Sequence, residues 1–197
     1  MMKLPDPNVD GPISLEQAIS LRRSIRSFLG DFLTLDEVSQ LLWAAQGVTG
    51  DNGLRAAPSA GATYPLETYV VSGTVTGLEP GVYYYEQAAH ALSLKLPGDL
   101  RAELSDNALG QPCVRDAAAV LVMAAVYERT TGQYGVRGNM YVHIDVGHAA
   151  QNVLLQATAI GLAAVPAGAF KTRTVRAQLG LPEEQIPLYL IPVGRML

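Results

Sequence analysis

One cysteine in 197 residues excludes an intramolecular disulfide and leaves Cys113 a buried or incidental thiol, outside any nucleophile motif. Histidine is nearly as scarce. Of His90, His143 and His148, the last two stand five apart, whereas two ligands on one helix face need a step of three or four, so no metal centre is expected. Charged residues make up only 16% of the chain and the net charge is −4. With a pI near 5.3, nucleic acid is not an expected partner. No uncharged apolar run approaches the ~18 residues of a membrane span. Met1–Gly11 carries Pro5, Asp6, Pro7, Asn8 and Asp10 and no apolar signal-peptide core, so a cytoplasmic location is expected. Gly132, Gly135 and Gly138 do not make a dinucleotide fingerprint, and there is no phosphate-binding loop of the Gly-Lys-Ser/Thr type.

What the chain does have is 49% hydrophobic residues, enough for one domain spanning 1–197 with apolar surface left for a subunit interface. Ser14-Leu15-Glu16-Gln17 and Thr34-Leu35-Asp36-Glu37 read as capping boxes, the first opening a helix that runs into an arginine cluster, the second a helix ending near Gly47. Strands are expected over 66–72, 81–86 and 92–96, with 78–96 forming a hairpin or meander. The continuous apolar run 117–127 suits a strand buried on both faces. Val142, Val146, Ala149, Val153, Ala157 and Ile160 recur at helical steps over 140–160, and Gly161 closes that helix. A short strand to Val165, a helix over 174–179 and a strand over 186–193 complete an α+β sandwich.

The cluster Arg22-Arg23-Ser24-Ile25-Arg26-Ser27-Phe28 places three guanidiniums and a hydroxyl within five residues. Arg matches phosphate oxygens with a planar, permanently charged fork, and Ser adds a neutral donor. A solvated helix end, where Arg bonds the last carbonyls, is the plainer alternative. Two small-residue segments, Pro58-Ser59-Ala60-Gly61-Ala62 and Val165-Pro166-Ala167-Gly168-Ala169, would let backbone approach a flat ring closely. Gly168 in particular would serve a positive φ or a close contact. Tyr83, Tyr84, Tyr85, Tyr134 and Tyr141 are candidates to line a substrate pocket, although strand alternation sends Tyr84 the opposite way from Tyr83 and Tyr85, so at least part of that trio is expected in the core or an interface.

In order and spacing, the Arg22–Phe28 cluster, Ala57–Glu67, Gly147-His148-Ala149-Ala150-Gln151-Asn152 and Gly161–Phe170 resemble the nitroreductase superfamily of flavin mononucleotide (FMN) enzymes, from Ser14 to Arg195. The second and third segments are most similar to its SagB-type branch, which oxidises azolines during peptide maturation. The resemblance implies a three-layer α/β/α sandwich with a mostly antiparallel sheet and a homodimer with flavin at the subunit interface. NADH or NADPH is the implied reductant and a small molecule the acceptor. It further implies cofactor contacts from Arg22, Arg23, Ser24, Arg26, Pro58, Ser59, Ala60, Gly61, Ala62, Pro166, Ala167, Gly168 and Ala169. Arg195 is left for the phosphate role that basic tail residues fill in many relatives. The branch's catalytic Lys-Tyr pair corresponds to Gln133-Tyr134, and Gln can neither accept a proton nor carry charge near neutral pH. That departure counts against azoline oxidation and leaves flavin reductase chemistry untouched, with Tyr134 the single side-chain candidate for catalysis. The alternatives are an azoline dehydrogenase and a flavin-binding protein without turnover. Hydride chemistry belongs to the cofactor, so no acid–base pair is required of the protein.

Overall fold

The computed structural model describes residues 1–197. In chain order the elements are β1 (Met2–Lys3), α1 (Leu15–Leu21), β2 (Leu33–Thr34), α2 (Leu35–Gln46), β3 (Leu66–Ser72), β4 (Val75–Thr76), β5 (Gly81–Glu86) and β6 (Ala91–Pro97). These are followed by α3 (Arg101–Asn107), α4 (Pro112–Asp116), β7 (Ala119–Val126), α5 (Glu128–Tyr134), α6 (Gly138–Ala159), β8 (Leu162–Ala164), α7 (Thr172–Gln178) and β9 (Gln185–Arg195). Seven strands form one sheet in the order β1-β6-β5-β3-β7-β9-β8, and every neighbouring pair in it is antiparallel.

Period-two alternation explains the layers. In β7, Leu121, Met123 and Ala125 face one core while Val120, Val122 and Ala124 face the other, which is why its sequence is apolar throughout. The first core is completed by α2 and by Val142, Val146, Ala149, Val153 and Ala157 of α6. The second is completed by Leu104 of α3, Val114 of α4 and Val175 of α7. The result is the three-layer α/β/α sandwich with an antiparallel sheet. Both capping boxes close as read: Ser14 Oγ accepts the Gln17 N–H at 3.2 Å and Thr34 Oγ1 accepts the Glu37 N–H at 3.2 Å.

Two expectations need correction. Helix α1 stops at Leu21, with Arg22 as its C-cap, so the arginine cluster is extended rather than helical. It is held there because the Ile25 N–H donates to Ala164 O at 3.1 Å and the Leu29 N–H to Arg195 O at 3.1 Å, docking the segment on the β8–β9 edge. The second concerns the tyrosines. Tyr83 and Tyr85 are buried in the first core, and the Tyr85 hydroxyl bonds His90 Nδ1 at 2.8 Å, so neither lines a pocket.

Candidate functional site

The predicted site residues fall into two groups. The first lies at the β8–β9 edge, where the Ile25–Ala164 bond sets the arginine segment beside the turn after β8. That turn is an extension of the sheet. The Val165 N–H donates to Pro192 O at 3.2 Å, and Ala167 and Leu190 exchange two bonds of 2.8 and 3.0 Å. The N–H of Ala167 is therefore spent, Pro166 has none, and Gly168 and Ala169 carry the N–H groups outside the ladder. Gly168 has no positive φ, and a Cβ there would meet only the Tyr189 ring at an ordinary 3.5 Å. The backbone thus needs no glycine at 168, contrary to the expectation of a positive φ or a tight contact within the chain.

The arginines divide by partner. Arg23 turns back to donate to Ser20 O at 3.0 Å and Arg22 O at 2.8 Å, which is the plainer helix-end role. Arg195 is committed as well: it pairs with Glu37 at 2.5 Å and donates to Phe32 O at 3.2 Å. The four ion pairs of the chain use Arg101, Arg115, Arg129 and Arg195, which leaves Arg22 and Arg26 without an acidic partner. Arg26 borders a cleft of about 460 Å³ together with Arg101, Arg115 and Asp116. Ser24 is exposed beside them.

The second group surrounds the loop 58–64, against α5 and the first turns of α6. Gly61, Ala62 and Tyr64 have φ of 58°, 52° and 44°, a left-handed run that L side chains adopt only when neighbours enforce it. A Cβ on Gly61 would lie 2.5 Å from Tyr134 Oη and 2.9 Å from Gln133 Oε1. The Gln133-Tyr134 pair therefore sits directly on the loop, and what favours glycine at 61 is the left-handed φ, since a side chain there would also have to displace the ends of Tyr134 and Gln133. The ring of Tyr134 meets Tyr141 edge-on at 5.1 Å. Pro58, Ser59 and Ala60 border a cavity of about 250 Å³ with Tyr141, Asp145 and His148. Ser59 Oγ donates to Asp145 Oδ2 at 2.6 Å, so its proton is not free for a ligand.

Sequence reasoning missed the polar frame of this second group. Buried Glu67 accepts the Tyr84 hydroxyl at 2.6 Å and pairs with Arg129, whose other nitrogen reaches Tyr64 O at 3.1 Å. Thr63 and Thr130 hydroxyls meet at 2.8 Å. Burial, then the bond to the Glu67 carboxylate, pushes the Tyr84 phenol far up. Burial and the Glu67 charge raise Tyr69, whose hydroxyl donates to Gln185 Oε1 at 2.7 Å, to about 12. Burial lowers the Arg55 pKa, and that guanidinium lies 4.7 Å from the Tyr64 ring centre. The Ala-Pro-Ser…Tyr-Pro-Leu-Glu wording carried the signal for Glu67, but its cation lies 62 residues away. Cys113 is buried, which raises its thiol pKa.

The two groups lie towards opposite ends of α6. From Asp145 to Ala159 the helix rises about 20 Å at 1.5 Å per residue.

This fold and these motifs define a nitroreductase-type α/β/α protein. The model of the Nitroreductase family matches residues 19–195, and the chain belongs to that family. It is 46% identical over 194 residues to a protein assigned as a nitroreductase, MJ1384 of Methanocaldococcus jannaschii, covering 98% of this chain and 96% of that one. A crystal structure assigned as a nitroreductase from Anabaena variabilis superposes with a TM-score of 0.82 at 34% identity, covering 92% of this chain and 38% of that longer one. The trifolitoxin-processing protein TfxB of Rhizobium leguminosarum is 30% identical over 119 residues, 58% of this chain and 32% of TfxB. The protein is accordingly an oxidoreductase-family member.

Proposed function

We propose that the protein is a cytoplasmic FMN-dependent oxidoreductase, accepting hydride from NADH or NADPH and passing electrons to a small organic acceptor such as a nitroaromatic or a quinone. What supports this reading is that Arg22 and Arg26 lack acidic partners in a segment docked through Ile25 on Ala164, just ahead of the turn whose Gly168 and Ala169 N–H groups lie outside the ladder. A phosphate dianion suits Arg22 and Arg26, with Ser24 as a neutral donor. Gly168 and Ala169 N–H groups suit the pyrimidine end of a flavin, where reduction develops negative charge. FMN, once bound, supplies the two-electron chemistry; the chain binds, orients and shields it.

The second group then serves the flavin of a homodimer. Loop 58–62 lies too far along α6 to share a cofactor with Arg22 of its own chain, and a two-fold partner with α6 reversed brings the loop of one protomer to the arginines of the other. Exposed Leu15 and Ile19 on α1 and Met140 and Ile144 on α6 suit such an interface. Tyr134 stands where it can hydrogen-bond an acceptor over the ring.

Arg22→Ala removes one charge-assisted contact, about 1.5–3 kcal/mol, and FMN affinity falls roughly 10- to 100-fold. Fluorescence titration of the apoprotein measures it; unchanged affinity removes Arg22 from the phosphate site. Steady-state NAD(P)H oxidation with menadione or a nitroarene separates an enzyme from a flavin-binding protein without turnover. The likeness to TfxB supports a second reading, azoline oxidation, against which Gln133 counts; a thiazoline peptide in the same assay decides between them.

A further inference from the structure

Asp145 is 3% exposed on α6, yet none of the four ion pairs uses it. Both of its oxygens turn to the loop: Oδ2 accepts the Ser59 hydroxyl at 2.6 Å and Oδ1 accepts the Ala60 N–H at 3.4 Å. Ser59 Oγ in turn accepts the Tyr64 N–H at 3.0 Å. One chain of bonds therefore runs from a rigid helix through a hydroxyl and across the loop, enclosing the left-handed residues Gly61 and Ala62. Two turns further along the same helix face, Asn152 Nδ2 donates to Ala44 O at 3.1 Å and Ala56 O at 3.3 Å. Positions 145 and 152 thus fasten the segment 56–60 along α6 at two points. Burying a carboxylate without a cation is unfavourable unless its hydrogen bonds are well made. A core residue of that size could be apolar if its task were only to fill space.

We propose that Asp145 is a positioning residue for the flavin-facing loop, acting through Ser59 to hold loop 58–62, with Gly61 and Ala62 left-handed, in the geometry that the cofactor meets. The proposal rests on the FMN reading above. Asp145 touches neither flavin nor acceptor; its effect passes through Ser59 and the Ala60 N–H. Asn at 145 keeps the volume but places an N–H₂ where the site needs a second acceptor, and Ala at 59 removes the link while leaving the helix intact.

The test compares Asp145→Asn, Ser59→Ala and the double variant for FMN affinity, visible circular dichroism of the bound flavin, and melting temperature. Each single variant is expected to weaken FMN about 10-fold and to alter the visible dichroism. The double variant should be no weaker than the worse single one, because both cut the same link. Ser59→Thr, which keeps a hydroxyl and suits the extended backbone there (φ −136°, ψ 140°), should recover affinity toward wild type. Should Asp145→Asn fail to fold, Ser59→Ala with its Thr rescue carries the comparison alone. Variants that melt earlier but bind FMN with wild-type affinity and dichroism overturn the proposal and leave the FMN reading standing. A wild-type protein that takes up no FMN overturns both.

Discussion

The loop 58–64 and the turn 165–169 have nearly the same composition, small residues around a proline and a glycine, and they are built on opposite principles. The turn prolongs a β-ladder: its hydrogen bonds are backbone to backbone, and its glycine adopts an ordinary φ with room for a side chain. The loop has three left-handed residues within four positions, held by side chains arriving from α5 and α6. A ladder is made by main-chain groups that nearly every residue carries, so it tolerates substitution. A strained loop is specified by partners far away in sequence, and fails when one of them changes. Small residues alone therefore do not reveal which kind of backbone they serve.

The sharpest way to break this contrast is Gly61→Val. It adds a branched side chain at φ 58°, against Tyr134 Oη and Gln133. Left-handed strain costs of order 1–3 kcal/mol, and displacing the ends of the Tyr134 and Gln133 side chains adds a smaller amount. A chemical denaturation midpoint should fall steeply, and a midpoint within error of wild type would mean that α5 does not rest on the loop.

A smaller effect is expected from pH, because side-chain ties titrate and backbone ladders do not. The Tyr69 phenol is raised from 10.0 to about 12 in the folded state, so folding favours its protonated form. That stabilisation is fully present below pH 10 and is lost as pH rises through about 12. Unfolding free energy followed over pH 9 to 12 should decline, and Tyr69→Phe should flatten the decline. Equal slopes in both proteins would remove Tyr69 from the cause.

The smallest effect belongs to Gly168→Ala. With no positive φ and the Tyr189 ring at 3.5 Å, the change should move stability by less than about 0.5 kcal/mol, as surface substitutions do. A loss of FMN affinity without loss of stability would then report close approach of the cofactor to this turn. A large drop in melting temperature would show that the turn is strained after all, and the contrast with 58–64 would disappear.

Legibility in the sequence followed the range of the forces involved. Both capping boxes, the doubly buried strand, the long helix and the last strand were readable, because propensity, capping and hydrophobic period act within a few residues. The short helices α3, α4 and α5 were not: seven residues or fewer carry little period, and none opens on a side-chain cap like the one that marked the equally short α1. The helical path expected for Arg22–Arg26 failed for a related reason. A basic run after a capped helix is locally neutral, and two long-range bonds, to Ala164 O and Arg195 O, drew it out along the sheet edge.

By itself the sequence determined the layer architecture, the family, and the residue types able to meet a phosphate or a ring. Only the tertiary structure decided which of those residues are free to do so. Arg23 and Arg195 are taken by carbonyls and a carboxylate and Arg22 and Arg26 are not. Ser59 gives its proton to Asp145, and Gly61 rather than Gly168 is the glycine that the backbone requires. The physical reason is that hydrogen-bond capacity is finite: whether a donor or a cation remains for a ligand depends on partners that folding brings from elsewhere in the chain.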